Sequence, residues 1–454
     1  MNRIIFSKAN RPCHSEDFEG IDTLTLQVRY DMPSKSERIY RRQLIMLFFF
    51  LFYTLFQTQA QIFKMADESN NRIKTQEPSA LITSHIAFVD KAHYVSAAMQ
   101  LDDYLPLIEG KRVGLVGNQT SIIGETHLVD TLLSLGIDIR KIYTPEHGFR
   151  GNADAGAKVN SGKDDKTGIA IVSLYGKNKK PTPEMLQGID IILFDLQDVG
   201  VRFYTYISTM SYVMEAAAEN HIPVIVLDRP NPNGFYVDGP VLKLENQSFV
   251  GLHPVPVVYG MTIGEYAKMV NGEGWLKNGI RCDLTVIPIN KYNRNAIYEL
   301  PVRPSPNLPN WESVYLYPTL CFFEGTIVSV GRGTETPFQI YGHPSMRGSF
   351  SFTPQSTSGA SKPLLEGQRC RGENLVEFAH DYAHNTNELH LEWLIEAYQQ
   401  LKDKDFFNNY FVKLSGDKQL QRDIENGKSV EEIRASWGKD LESFKSIRTK
   451  YLMY

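Results

Sequence analysis

Ile189–Leu196 reads IDIILFDL and runs on into Gln197-Asp198-Val199-Gly200-Val201-Arg202-Phe203-Tyr204. The apolar residues fall on both parities, so both faces of an extended segment would be buried, as in a central strand of a parallel sheet. The polar, glycine-bearing continuation reads as the loop leaving that strand's carboxyl end. Four more runs of this kind surround it: Val113–Gly117 (VGLVG), Ile139–Tyr143, Ile169–Leu174 and Pro223–Leu227 (PVIVL). Helical patterns are predicted at Leu128–Leu135, Pro183–Gln187 and Ile207–Asn220. Strand, helix, strand at this pitch predicts an α/β domain with a parallel sheet and right-handed crossovers.

Outward from this region the pattern changes. Residues 111–283 are assigned to the α/β domain and 284–454 to a smaller α+β domain. The second region opens on the proline-rich Pro301–Pro318, read as an extended loop. Strand-like runs follow at Cys321–Phe323, Ile327–Val330 and Phe338–Tyr341, then an exposed loop at Ser351–Pro363. Helices are predicted at Gly372–Ala383, Leu391–Lys402, Lys418–Glu425 and Ser429–Tyr451. Residues 61–110 read as a polar tether and an entry helix. Residues 1–60 read as a leader: Arg41 and Arg42 precede an uncharged apolar run, Leu44–Phe56, and Thr58-Gln59-Ala60 follows it. That run is shorter than the ~20 residues of a bilayer span. It predicts a secretory signal cut after Ala60, hence an exported, periplasmic or extracellular protein with no stable membrane insertion afterwards. Met32 is the expected true start.

The whole chain of 454 residues carries 48 Lys+Arg against 52 Asp+Glu. Removing residues 1–60 makes it more acidic, which argues against nucleic acid or any other polyanion as partner. Cys282, Cys321 and Cys370 fit no zinc ribbon or disulfide framework and are read as mostly structural.

In open parallel sheets ligands bind beyond the carboxyl ends of the strands. Those ends carry Asn118-Gln119-Thr120, Pro145-Glu146-His147-Gly148, Asp195 through Tyr204, and Asp228-Arg229-Pro230-Asn231-Pro232-Asn233-Gly234. No GxGxxG, GxxxxGK[ST] or GxSxG is present, which weighs against a nucleotide cofactor and a hydrolase serine. His147 with Asp195, Asp198 and Asp228 has the chemistry of metal ligands, but without HxH, HExxH or DxD spacing no metal is expected. Carboxylate chemistry remains. Glu146, on a short loop bounded by proline and glycine, is the candidate general acid; the alternative is a structural carboxylate. Asp195 and Asp228 have a structural alternative too, bonding neighbouring loop amides. Arg202 and Arg229 have the fork geometry to clamp a ligand carboxylate, and Tyr204 and Tyr206 present faces for a sugar ring.

TPEHGFRG (144–151), DLQDVGVRFYTY (195–206), DRPNPNG (228–234), YGMTIGEYA (259–267), SPNLPN (305–310) and FEGTIVSVGRGTETPF (323–338) together resemble the exo-β-N-acetylmuramidases of glycoside hydrolase family 171. The resemblance runs from about Lys111 to the C-terminus. It implies a Rossmann-like domain with a smaller C-terminal domain, and an active-site cleft between them. It implies release of N-acetylmuramic acid (MurNAc) from the non-reducing end of peptidoglycan fragments, MurNAc–GlcNAc oligosaccharides, in cell-wall turnover. The suggested catalytic residue is Glu146, with His147 beside it and Asp195, Asp198 and Glu324 as candidate second carboxylates. Asn118, Arg202, Tyr204, Asp228, Arg229, Asn231 and Arg332 are the expected substrate contacts. The competing expectations are an exported muropeptide- or sugar-binding protein without catalysis, and a metal-assisted peptidoglycan amidase or deacetylase.

Overall fold

The computed structural model describes residues 88–89, 94–146, 148–149 and 161–454, with the side chains of 88–89 and 381–385 left out. The leader, most of the tether, His147 and the stretch 150–160 lie outside the described residues. No described helix is long and apolar enough to cross a membrane.

The strands are β1 (Phe88–Val89), β2 (Val113–Gly117), β3 (Ile122–Ile123), β4 (Thr126–His127), β5 (Ile139–Thr144), β6 (Gly162–Lys163), β7 (Ala170–Ser173), β8 (Ile191–Asp195), β9 (Val224–Leu227), β10 (Leu284–Ile287), β11 (Ile297–Tyr298), β12 (Ile340–His343), β13 (Phe350–Phe352) and β14 (Cys370–Asn374). The main sheet has the order β10-β9-β8-β2-β5-β7-β6. Every pair is parallel except β6 with β7. Counting only the parallel strands from the N-terminus, this is the doubly wound 3-2-1-4-5-6 order, and the winding reverses between β2 and β8. The five strands read from sequence are five of its six parallel members. The sixth, β10, is formed where the sequence reading begins its second region.

Alternation along each strand feeds two cores. Ile192 and Phe194 of β8 and Val224 and Val226 of β9 face one side, while Ile191, Leu193, Ile225 and Leu227 face the other. The second side is covered by helices α1 (Leu101–Ile108) and α2 (Leu128–Ser134). After the short α3 (Pro183–Leu186), the first side is covered by α4 (Tyr206–Glu219), buried along nearly its whole length, and by α5 (Ile263–Gly272). Thr262 and Glu265 close a capping box on α5.

The C-terminal part holds α6 (Trp311–Leu320), the three-stranded sheet β12-β14-β13, and helices α7 (Val376–Asn385), α8 (Glu392–Leu401), α9 (Phe411–Ser415), α10 (Lys418–Glu425) and α11 (Val430–Thr449). Its core is continuous with the first side of the main sheet: Phe323, Trp393, Phe411 and Phe444 belong to the same buried cluster as Phe194. Two local expectations are corrected here. The second part of Pro301–Pro318 is not a loop: from Trp311 on it is helix α6, which Asn310 caps through Ser313. Pro318 lacks the amide that would bond the Val314 carbonyl, and Asn233 Nδ2 donates to that oxygen instead (3.2 Å). Cys321–Phe323, read as strand-like, is a 3-10 turn spanning Cys321–Gly325. Cys321, Phe322 and Phe323 are all buried, so periodicity had nothing to distinguish.

Candidate active site

A cleft of about 570 Å³ opens beside the switch point of the sheet, within the range of small-molecule sites. Its walls come from several separate segments. Glu146 follows β5, and Tyr175 and Lys179 follow β7; Phe203–Tyr206 lead from β8 into α4. Ser305 and Asn307 stand before α6, Glu324, Arg332 and Phe338 follow it, and Tyr410 and Lys413 sit at the start and middle of α9.

Two carboxylates line the cleft. Glu146 is half-buried, and Tyr175 donates its hydroxyl to Glu146 Oε1 (3.0 Å). Burial, reinforced by the Glu146 charge, pushes the Tyr175 hydroxyl well up, so it remains a donor. Glu324 is paired with Arg332, whose Nε donates to Glu324 Oε1 at 2.5 Å. Arg332 also lies over the Phe338 ring, 4.9 Å from its centroid. Tyr410 feels both carboxylates: its hydroxyl is raised first by burial and then by the charges of Cys321, Glu324 and Glu146. Glu146 and Glu324 therefore address one space. Tyr204 and Tyr206 meet edge to face at 4.7 Å. Tyr204 donates to the Pro304 carbonyl (2.8 Å), which ties the Ser305–Asn307 segment to the cleft floor.

Several expected site residues are structural. Asp195 is fully buried and receives two bonds from Arg229, at 2.5 and 2.8 Å. Each satisfies the other, so Arg229 has no fork left for a ligand and Asp195 is not a second catalytic carboxylate. Arg202 is also fully buried. It donates to the carbonyls of Pro240, Val255, Leu414 and Ser415, at 2.7–2.8 Å. It clamps backbone rather than substrate. Asp198 does not line the cleft; it accepts from Gly200 N and the Tyr259 hydroxyl. Burial pushes its carboxyl up to about 6, but a perturbed group without access to substrate is no general acid.

The DRPNPNG turn is a girder too. Asp228 accepts from Thr262 Oγ1 (2.7 Å), Gly264 N (2.8 Å) and the Tyr454 hydroxyl (2.8 Å), realising its structural alternative. Asn231 donates to the Met261 carbonyl (2.7 Å) and accepts from Asn233 N (2.8 Å). Gly200, at φ 78°, packs so closely on that amide that a Cβ would collide with it. Asn118 is buried behind the wall, donating to the Tyr206 hydroxyl (2.8 Å), so it positions a cleft residue instead of touching ligand. Of the expected residues, Glu146, Glu324, Tyr204, Tyr206 and Arg332 line the cleft.

The sequence reading passed over Tyr175, Lys179, Phe249, Tyr317, Tyr410 and Lys413, all of which line it. Tyr175 had a signal: it follows the third strand, and the strand-end rule reaches it directly. Among the described residues no group of three His, Cys, Asp or Glu side chains is placed to hold a metal ion. Cys282, Cys321 and Cys370 are buried free thiols.

Residues 113–312 match the family described as Exo-beta-N-acetylmuramidase NamZ, N-terminal, and residues 315–454 match its C-terminal counterpart. The Peptidoglycan beta-N-acetylmuramidase NamZ of Bacillus subtilis (strain 168) is 41% identical over 382 residues, spanning 78% of this chain and 89% of that protein. Two crystal structures of DUF1343 family proteins from Bacteroides fragilis NCTC 9343 are similar to this fold. They have TM-scores of 0.73 and 0.70 and identities of 45% and 29%. Each covers 80% of this chain, and 99% and 100% of its own length is covered.

Proposed function

The chain belongs to the NamZ family of exo-β-N-acetylmuramidases, and from that premise we propose that it hydrolyses the β-glycosidic bond of a terminal MurNAc on peptidoglycan fragments. It is a glycosidase that frees MurNAc from the non-reducing end in cell-wall turnover. The observation that carries the reading is the pair Glu146 and Glu324 facing one aromatic cleft. Glycosidases commonly work with two carboxyl groups flanking the bond.

The two glutamates keep different company: Tyr175 donates a hydroxyl to Glu146, and Glu324 faces the Arg332 guanidinium. Glu146, held by the Tyr175 hydroxyl, is the general acid: it gives its proton to the glycosidic oxygen as the bond to the MurNAc anomeric carbon breaks. Glu324, held in an ion pair by Arg332, is the charged partner that faces the positive anomeric centre. Water completes the reaction, leaving MurNAc and a shortened fragment with a free hydroxyl. Tyr175 and Tyr410, lining aromatics that keep exposed surface, supply apolar faces for the sugar ring.

The lactyl carboxylate of MurNAc needs a cation, and Lys413 supplies it. Lys413 lies one turn from Tyr410, so the two share a helix face, and Tyr410 is the residue that senses both glutamates. Among the described residues Lys413 forms no ion pair. Substitution by alanine should narrow the preference for a MurNAc glycoside over the matching GlcNAc glycoside.

The protein acts after export. The support is the leader alone: the basic flank, the apolar Leu44–Phe56 and the Thr58-Gln59-Ala60 site. N-terminal sequencing from the native host should find a chain beginning just after Ala60, and one beginning before Leu44 would remove the idea. The central test is incubation with β-1,4-linked MurNAc–GlcNAc, followed by mass spectrometry. Free MurNAc and free GlcNAc are expected; an intact disaccharide would overturn the reading.

A further inference from the structure

A second cavity, of about 830 Å³, adjoins the cleft. The two share Lys179, Ser248 and Phe249 as lining residues. This annex differs in character from the cleft. Lys177, Lys179, Lys180 and Lys277 all line it, and Glu215 is the one carboxylate among the described lining residues. Glu215 is already consumed: Oε1 receives Lys180 Nζ (2.6 Å) and Oε2 receives the backbone amide of Lys277 (2.8 Å). Lys180 is closed off further by Glu219 (2.7 Å). Lys177, Lys179 and Lys277 form no ion pair among the described residues.

The same annex carries aromatic faces. Tyr212 and Phe249 are stacked, with centroids 6.0 Å apart and planes 9° from parallel. Lys179 Nζ sits 4.2 Å from the Phe249 centroid. Trp275 stacks on His253 at 5.6 Å. Flat apolar faces beside uncompensated ammonium groups form a surface for a ring-bearing, carboxylate-bearing chain. An enzyme that removes the terminal sugar must leave the other side of the scissile bond open for the rest of the polymer. The annex is an opening of the cleft with charge complementary to what that polymer carries.

Resting on the muramidase reading of the cleft, we infer that the annex is the site for the leaving portion of longer substrates. Its Lys177–Lys179–Lys277 face binds carboxylates beyond the first GlcNAc. Those carboxylates have two sources, the lactyl group of the next MurNAc and a peptide attached to it. A disaccharide ends before the annex and gains nothing from it.

The test compares KM for three probes: MurNAc–GlcNAc, the peptide-free tetrasaccharide (MurNAc–GlcNAc)2, and the same tetrasaccharide with stem peptides. The proteins are wild type, K177Q/K277Q and K177R/K277R. Two exposed charge contacts are worth roughly a three- to tenfold lower KM for a longer substrate. That advantage should vanish in K177Q/K277Q, persist in K177R/K277R and shrink on adding about 0.5 M NaCl. An advantage already present without peptide assigns the carboxylate to the inner MurNAc. One present only with peptide assigns it to the stem, and both support the annex. Equal KM for all probes in wild type, or an advantage untouched in K177Q/K277Q, overturns it. So does a raised KM for the disaccharide in K177Q/K277Q, which would place the terminal sugar in the annex. Cleavage of none of the probes by wild type removes the muramidase reading and the annex with it, an outcome distinct from the others.

Discussion

Replacing Glu146 by glutamine separates the chemistry of the cleft from its shape. The Tyr175 hydroxyl donates to Glu146 Oε1 (3.0 Å), and a glutamine carbonyl in the same place accepts the same bond. The side chain should keep its direction, so a deficit reports the lost proton. General acid catalysis contributes ~10²–10⁴-fold, or about 3–5 kcal/mol of transition-state stabilisation. Turnover of MurNAc–GlcNAc should fall by that factor, with binding retained. A nitrophenyl MurNAc glycoside has a leaving group that needs little protonation, so its deficit should be far smaller. Glu324→Gln should behave differently: a charge facing the anomeric centre matters whatever leaves, and both substrates should lose together. That variant keeps a carbonyl to accept from Arg332 Nε but removes the charge opposite the guanidinium. Both side chains are about a quarter exposed, so the stability loss belongs below the ~1.5–3 kcal/mol of a charge-assisted bond. Steady-state kinetics on the two substrates, with thermal melts on both variants, decide the matter. Near-normal turnover of the disaccharide by Glu146→Gln would refute the assignment, and equal losses on both substrates would make Glu146 something other than the acid.

Further outcomes follow from the buried network. Arg229→Met should leave Asp195 charged and unpaired in the interior and lower stability by about 3–5 kcal/mol, whereas Arg229→Met with Asp195→Leu should recover much of it; denaturant titration of both variants checks this. Arg202→Met should lower the melting temperature sharply, by orphaning four carbonyls, and leave the MurNAc preference of the folded fraction unchanged. His253 is buried against Ser211 Oγ (2.9 Å), and burial pulls its pKa down to about 4. The unfolded chain therefore binds the proton first: the stability His253 contributes is present above about 6.5 and is lost as pH falls toward 4. From pH 7 to 5 that loss is about 2 kcal/mol, and a His253→Gln variant should show a correspondingly flatter profile. Activity should survive exhaustive dialysis against EDTA; activity lost to it and restored by zinc or magnesium would point to metal-assisted chemistry.

The sheet was legible because its strands are buried on both faces. Val113–Gly117 matches β2 to the residue, and Ile189–Leu196 brackets β8. The order of the strands was not legible, since it is set by crossovers that the local sequence does not encode. The site was half legible for a related reason. Sequence gives which residues follow a strand, not which way they turn. Asp195 and Arg229 stand at neighbouring strand ends and turn toward each other; Glu146 stands beyond β5, two strands from β8, and turns into the cleft. Opposite charges at one sheet edge satisfy one another unless the backbone keeps them apart, and nothing in DRPNPNG announces that it will. Tyr410 and Lys413 were beyond reach, because α9 joins the cleft only through long-range packing.

Arg202 also bears on how substrate enters. Its guanidinium grips Pro240 and Val255 beside the α/β half, and Leu414 and Ser415 at the end of α9. The segment carrying Tyr410 and Lys413 therefore cannot swing outward without stripping a buried cation of half its acceptors, a barrier far above thermal energy. The α9 wall of the cleft is a mould cast before the substrate arrives, not a jaw that shuts on it. Little conformational entropy is left to lose on binding. Association should run in a single kinetic phase, without the slow isomerisation that accompanies domain closure. A fixed wall also discriminates by outline: a substituent that does not fit against α9 finds no softer arrangement there to accept it.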